Sequence, residues 1–368
     1  MHTLARLTVY GLFFGFAAGM VVAQTIDLPT SKQLVEEVPG HPQRLNSLPI
    51  SMAVSQDGRY VATVNAGYGT YESKYEQSLA VLDTQTGVLA DFPDARTLVG
   101  AQQTLYSGLA FSRDGSHLYA SMASLTAPLG KEKNETGSGI VVYRFDAGKI
   151  IAERMIQLPL QPLAPGRKTQ LSHEADGSKG IPYPAAIVVL GRGDAEKLLV
   201  ADNLSDDVLL IDAASGQIET RFDLAESDAV PSTYPVALVV SKDGARAFVA
   251  LWNASEIVEL DLAKRIVGRK LHLLKPSSPV APGTHPCAFE LTADGRTLYV
   301  ALANRDAVAA VNVGAGAFAV KGYFDTRLPG QSYFGAEPVA LALNSSGSRL
   351  YVANAASDAV AVLDTAKL

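Results

Sequence analysis

Four points in the chain place a polar or aromatic side chain directly before a proline and a short apolar run: Tyr183-Pro184, Tyr234-Pro235, His285-Pro286 and Glu337-Pro338. Leu48-Pro49 and Tyr106-Ser107 stand at the corresponding points of two further runs, with other residue types. Together with Arg305, His285 and Glu337 are the set best able to supply hydrolytic chemistry. Opening a lactone or ester needs a base to take a proton from water and a cation to hold the developing negative charge. His285 or Glu337 would be that base and Arg305 the stabiliser. The plainer reading of the prolines is structural, since proline opens a strand where no ladder N–H is needed. The change of type before them, Tyr, Tyr, His, Glu, suits a rim that faces a ligand.

Five asparagines follow the same spacing. Asn65, Asn203, Asn253, Asn304 and Asn354 each close an apolar run. Asparagine tolerates left-handed geometry and bonds its own backbone, so a turn role explains them without a ligand. The nearby carboxylates Asp206, Asp207, Glu256, Asp306 and Asp358 are expected to be solvated turn residues. Trp252, the single tryptophan, adjoins Asn253 and is either a half-buried wedge or a stacking platform.

Other chemistry is thinly represented. His173, Glu174 and Asp176 fall together in "SHEADG", a conceivable but weak metal site. It has neither the two-histidine helical spacing of a zinc protease nor the alternating oxygens of a calcium loop. No G-x-S-x-G elbow occurs. "GAGAFA" at 314–319 joins two strands, where no helix N-terminus exists to receive a phosphate. No C-x-x-C-H haem attachment is present, and no cofactor is expected. The lone Cys287 forms no intrachain disulfide and is expected to pack as a small hydrophobe.

The elements that must position these residues repeat six times. The copies begin at "LPISMAVSQDGRYVATVNA" (48–66), "YSGLAFSRDGSHLYASMAS" (106–124) and "YPAAIVVLGRGDAEKLLVADN" (183–203). They continue with "YPVALVVSKDGARAFVALWN" (234–253), "HPCAFELTADGRTLYVALAN" (285–304) and "EPVALALNSSGSRLYVANA" (337–355). Each reads as a strand, a tight turn and a second strand, followed by a third such as "VLLID" and a fourth such as "QIETRFDL". Short strands at a fixed period mark an all-β repeat, and four-stranded units of this kind fit a β-propeller of six or seven blades. The propeller is expected over 48–368. Residues 24–47, through "KQLVEEVPG" (32–40), are expected to supply the outer strand that closes the ring.

Tight turns join the first strand to the second and the third to the fourth, so one face of the ring is scaffold. Long inserts, such as 67–78, 125–139, 160–181, 274–284 and 326–336, gather on the other face. Long loops on a rigid frame are where recognition usually resides.

Composition narrows the partners. The chain is 48% hydrophobic, enough for a large core, with a formal charge of −6 and no basic run, which disfavours nucleic acid. Residues 1–23, "MHTLARLTVYGLFFGFAAGMVVA", have the charge, apolar run and V-x-A ending of a secretory signal cleaved after Ala23. An uncleaved membrane anchor is the alternative. The expected location is periplasmic or secreted, with no membrane span after cleavage.

"LYVANAASDAVAVLD", "LYVALANRDAVAAVN" and "LLVADNLSDDVLLID" resemble the YVTN-type β-propeller repeat, and the resemblance covers residues 32–368. "LPTSKQL", "NAGYGT", "LTAP" and "DTRLPGQSYFGAEP" are similar to secreted bacterial proteins that join such a propeller to a C-terminal phosphoesterase of the alkaline-phosphatase type. Those relatives imply seven blades followed by an enzyme. Here six repeats are visible, and 1–368 contains no phosphoesterase metal cluster to carry over. The resulting expectation is a non-catalytic binding or interaction module that takes a protein or small molecule on its long-loop face. A propeller-lactonase hydrolase, or the propeller module of a larger phosphoesterase, is the alternative.

Overall fold

The computed structural model describes residues 26–27, 33–34, 45–46, 48–67, 76–98, 100–171, 176–273, 283–314 and 316–367. The chain divides into two units, Met1–Arg44 and Leu45–Leu368. Of the first, Ile26–Asp27 and Gln33–Leu34 are described, as a short antiparallel pair. The signal sequence of 1–23 lies outside the described residues, as does most of the expected closing strand at 32–40.

The second unit is an all-β propeller of six antiparallel sheets. Calling the strands A to D in chain order, the first blade is Pro49–Val54, Tyr60–Asn65, Ser78–Asp83 and Leu89–Pro93. The second is Thr104–Phe111, His117–Ala123, Gly139–Asp146 and Lys149–Gln157. Pro184–Leu190, Lys197–Asp202, Asp207–Asp212 and Ile218–Asp223 form the third. The fourth is Pro235–Val240, Arg246–Leu251, Glu256–Asp261 and Ile266–His272, and the fifth is Pro286–Leu291, Thr297–Leu302, Ala307–Asn312 and Ala319–Asp325. The sixth has three strands among the described residues, Pro338–Leu343, Arg349–Asn354 and Ala359–Asp364. From the first blade to the sixth, each A strand packs beside the A strand of the next blade, which places the A strands innermost.

The A–B turns show why the Ser/Thr-x-Asp-Gly phrase recurs. Ser55 Oγ donates to Asp57 Oδ1 at 2.6 Å while the Arg59 N–H donates to the same oxygen, and Gly58 takes φ 72°. The bonds recur at Ser112/Asp114, Ser241/Asp243 and Thr292/Asp294. A side chain thus replaces ladder bonds where the strand reverses, and glycine supplies the left-handed residue. The second blade departs from the repeat: its A strand slips register between Leu105 and Leu109. A Cβ on Gly108, inside that slip, would lie 2.9 Å from Ile187 Cγ1 of the next blade, so only glycine fits the close approach.

The core is a series of wedges between blades rather than one centre. Among the described residues, apolar clusters join each blade to its successor from the first to the sixth. Within a strand, alternate residues face opposite neighbours, so the middles of the B strands are largely apolar. In the third blade Leu198 and Val200 face the second, while Leu199 and Ala201 face the fourth.

Carboxylates clasp the blades together, contrary to the solvated role expected of them. Asp206, in the B–C turn of the third blade, accepts the backbone N–H groups of Ser232, Thr233 and Tyr234, which lead into the fourth. Asp306 does the same for Gly335, Ala336 and Glu337 ahead of the sixth blade. In the fourth blade Ser255 Oγ fills the position and accepts the N–H of Thr284. Asp206, Asp207, Glu256 and Asp306 are all buried, whereas Asp358 is exposed as expected. The physical reason is that three consecutive N–H groups at a strand entrance need an acceptor, and a carboxylate satisfies them all.

These clasps also revise the role given to the asparagines. The left-handed residues of the B–C turns are Asp206, Ser255, Asp306 and Asp358, with φ between 48° and 58°. The asparagines are outside that region. Asn253 Nδ2 donates to Ser232 O, Asn304 Nδ2 to Gly283 O and Asn354 Nδ2 to Thr326 O, reaching loop carbonyls 21 to 28 residues away. Asn65 Nδ2 donates to Ser78 Oγ at 3.0 Å.

Candidate functional site

The residue opening an A strand adopts a positive φ in four blades: Leu48 at 53°, Tyr234 at 53°, His285 at 50° and Glu337 at 55°. For such residue types this is an uncommon conformation. The clasp accounts for it at two of them, because it turns the Tyr234 and Glu337 N–H groups toward Asp206 and Asp306, each at 3.0 Å. Recurrence at Leu48 marks it as a property of the fold. It fixes the backbone at the entrance to these A strands whatever the residue type.

The rim they form is aromatic over much of its length. Tyr106 meets Tyr183 edge-on with ring centroids 4.9 Å apart, across the second and third blades. Burial raises the Tyr183 hydroxyl above the ordinary phenol range. Tyr234 packs edge-on against Trp252 at 6.3 Å, and Trp252 lies flat against His285, with centroids 3.8 Å apart and planes 22° apart. Partial burial lowers the His285 pKa below the usual imidazole value, which favours the neutral ring.

Beyond this stack opens a cavity of about 450 Å³. Trp252, His285, Asn304, Asp306, Phe334 and Glu337 are among its lining residues, drawn from the fourth, fifth and sixth blades. Glu337 is exposed into it, while Asp306 has its oxygens committed to backbone donors. Phe334, absent from the sequence-level candidates, rises from the D–A loop with the Arg327 guanidinium 5.9 Å from its ring centroid. The "GQSYFGAEP" phrase was the available signal, since it places aromatic residues just before Glu337.

The structure thus gathers Trp252, His285, Asn304 and Glu337 at one cavity, with Tyr234 behind the indole. Arg305 sits in the same turn but outside the cavity lining. Tyr106 and Tyr183 lie on another arc of the rim. Asn65, Asn203 and Asn354 are buried in the sheets, and Asn253 is exposed beside Trp252. His173 and Glu174 lie outside the described residues, and Asp176 caps its own turn through the Ser178 N–H. Among the described residues no group of three or more His, Cys, Asp or Glu is arranged to hold a metal ion. Cys287 is half-buried, its thiol donating to Pro338 O, and burial pushes its pKa up to about 12.

A second set of ionisable groups lies within the blades. Asp202 and Asp207 face each other across the B–C hairpin of the third blade, both fully buried. Arg221 Nε donates to Asp207 Oδ2 at 2.5 Å. Burial, reinforced by the mutual repulsion of the pair, raises the Asp202 carboxyl far above its ordinary value, and burial raises Asp207 as well.

No family model matches the chain, and no curated protein matches it in sequence. Solved structures match in fold. The periplasmic gluconolactonase of Pseudomonas aeruginosa is 19% identical with a TM-score of 0.60, over 86% of this chain and 81% of its own. A Lactobacillus plantarum protein gives a TM-score of 0.62 at 16% identity, over 91% and 84%. Staphylococcus aureus virginiamycin B lyase, in a catalytically inactive form with quinupristin, gives 0.55 at 13%, over 94% and 86%. At these identities the likeness is one of fold.

Proposed function

We propose that the chain is a periplasmic or secreted β-propeller that binds a small polyhydroxylated ring, of sugar or sugar-acid type, at the channel-mouth cavity. The observation that carries the reading is the flat Trp252–His285 stack beside an exposed Glu337. Aromatic side chains such as this stacked pair and Phe334 pack against the apolar C–H surface of such a ring, and a carboxylate accepts from its hydroxyls. A cavity of about 450 Å³ is of the size that small-ligand sites have. The signal-like segment at 1–23 supports the extracytoplasmic setting. No helix among the described residues is long and apolar enough to cross a membrane.

Calorimetric titration with D-glucose and D-glucuronate, both pyranose rings in water, tests this. Saturable binding that disappears in Trp252→Ala and weakens in Glu337→Gln is expected. Absence of heat with either compound, in a folded protein, sinks it.

Hydrolysis of a lactone is the second reading. Burial favours the neutral form of His285 that a general base requires, and one fold neighbour is named a gluconolactonase. Water would lose its proton to His285 or Glu337 while attacking the carbonyl, and as the ring C–O bond breaks the same group would return that proton to the leaving ring oxygen, giving the hydroxy acid. Among the described lining residues, however, no cation points at the place where the oxyanion would form. Asn304 Nδ2 is engaged with Gly283 O. Binding is therefore the leading reading. Acid release from D-glucono-1,5-lactone above the buffer rate, reduced by His285→Gln or Glu337→Gln, would reverse that order.

A further inference from the structure

The geometry points to a docking surface at the junction of the sixth and first blades, shaped to receive a further β-blade of the same repeat. The register makes the comparison direct. Tyr351 pairs with Val362 and Ala353 with Val360 in the sixth blade, as Tyr299 pairs with Ala310 and Ala301 with Val308 in the fifth. In the fifth blade this face is buried, packed against the sixth through Tyr299, Val308 and Ala310. In the sixth the same positions are open: Val360 is 64% exposed where Val308 is 0%. Tyr351 and Val362 are exposed with it.

The first blade shows the matching half. Met52 and Val54 pair with Thr63 and Val61, as Ile187 and Val189 pair with Val200 and Leu198 in the third blade. Ile187 and Val189 pack against the second blade, whereas Met52 is 69% exposed and Val54 is exposed beside it. Among the described residues no apolar cluster joins the sixth blade to the first, although one joins every other consecutive pair. The outer edge of Ala359–Asp364 has no fourth strand among those residues. Asp358 repeats the left-handed conformation of Asp206 and Asp306, and it is exposed where they are buried.

Continuity with the five existing interfaces specifies the occupant. It presents apolar side chains toward Tyr351, Val360 and Val362 on one face and toward Met52 and Val54 on the other. It also brings an outer strand for Ala359–Asp364. A surface with this alternation recognises another blade, because the same positions do so at every established junction. A large exposed apolar face otherwise favours indiscriminate association.

The test extends the full chain beyond Leu368 with a copy of residues 313–364, which carries an outer strand followed by three strands of a blade. Val360→Cys serves as the reporter, since Cys287 is half-buried with its thiol pKa raised to about 12 and is slow to react. In the 368-residue chain Val360→Cys should react rapidly with a maleimide, while Val308→Cys should not. In the extended chain, the reaction at position 360 should slow by about tenfold or more and the melting temperature should rise. Unchanged labelling in a folded extended chain overturns the proposal. So does protection in the original chain that is lost on dilution, with sedimentation at twice the mass, since a second copy would then occupy the face. If the extended chain does not fold, Val360→Lys with Val362→Lys in the original chain decides. An unchanged melting temperature fits an open face, and a marked drop shows that the face is already packed.

Discussion

The imidazole of His285 lies 3.8 Å from the indole of Trp252, centroid to centroid, across the boundary between the fourth and fifth blades. Because Trp252 is the only tryptophan, emission excited selectively at tryptophan reports on the surroundings of this one indole. Burial disfavours the imidazolium, so His285 should protonate below its ordinary value of 6.5. A pH titration of the emission should show one transition below that value, and His285→Gln should abolish it. A transition that persists in the variant would place the titrating group elsewhere.

The Asp306 clasp should contribute heavily to stability. Its carboxylate holds three N–H groups at 2.7, 2.9 and 3.0 Å, joining two blades. Asp306→Ala should cost about 2–4 kcal/mol, since buried donors lose a charged acceptor. Asp306→Asn keeps the left-handed turn and one acceptor oxygen, so it should cost less. Urea midpoints of the two variants against the parent check both the size and the order.

Much of the fold was legible because its signals are local. The Asp-Gly turns bond within five residues, and the apolar B strands announce burial on both faces. The clasps were not legible. Asp206 bonds residues 26 to 28 positions away, and nothing in a turn aspartate's immediate sequence separates a solvated carboxylate from one aimed at the next blade. The candidate site was half legible for the same reason. The Tyr/His/Glu-Pro positions could be read as a rim, but the stacking of Trp252 on His285 depends on two neighbouring blades. Arg305 was grouped with His285 and Glu337 as the cation of a hydrolytic set, and it does not line the cavity.

The buried pair Asp202 and Asp207 predicts an unusual pH dependence. Both carboxyls have pKa values raised on folding, so the folded chain binds more protons than the unfolded chain above the ordinary carboxyl range. Their contribution is fully present below pH 4 and is lost as pH rises through the folded values. Asp202→Asn, which fixes the neutral form, should flatten this loss and stabilise the protein at pH 8 relative to the parent. Denaturation midpoints at pH 5 and pH 8 give the answer. A variant that weakens with rising pH as steeply as the parent would assign the effect to other groups.

The long B–C insert of the second blade should be separable from folding. Its base is tied by Ser124 and Ser138, whose backbone and hydroxyl groups bond each other across the hairpin. Replacing 127–136 with a short glycine turn while keeping those two serines should leave the melting temperature within about 2–3 °C of the parent, since loop length carries a small entropic cost. A collapse in stability would make the insert part of the core.

The direction of the clasps bears on how the chain is made. Each runs forward, from a turn already synthesised to a strand entrance 26 to 31 residues later. A ribosome releases the acceptor before its donors, so the fourth and sixth blades each meet a waiting anion, and the fifth a waiting hydroxyl, on the blade before. Propeller assembly can therefore proceed like a ratchet, in the order of translation, with each arrival fixing the register of its predecessor.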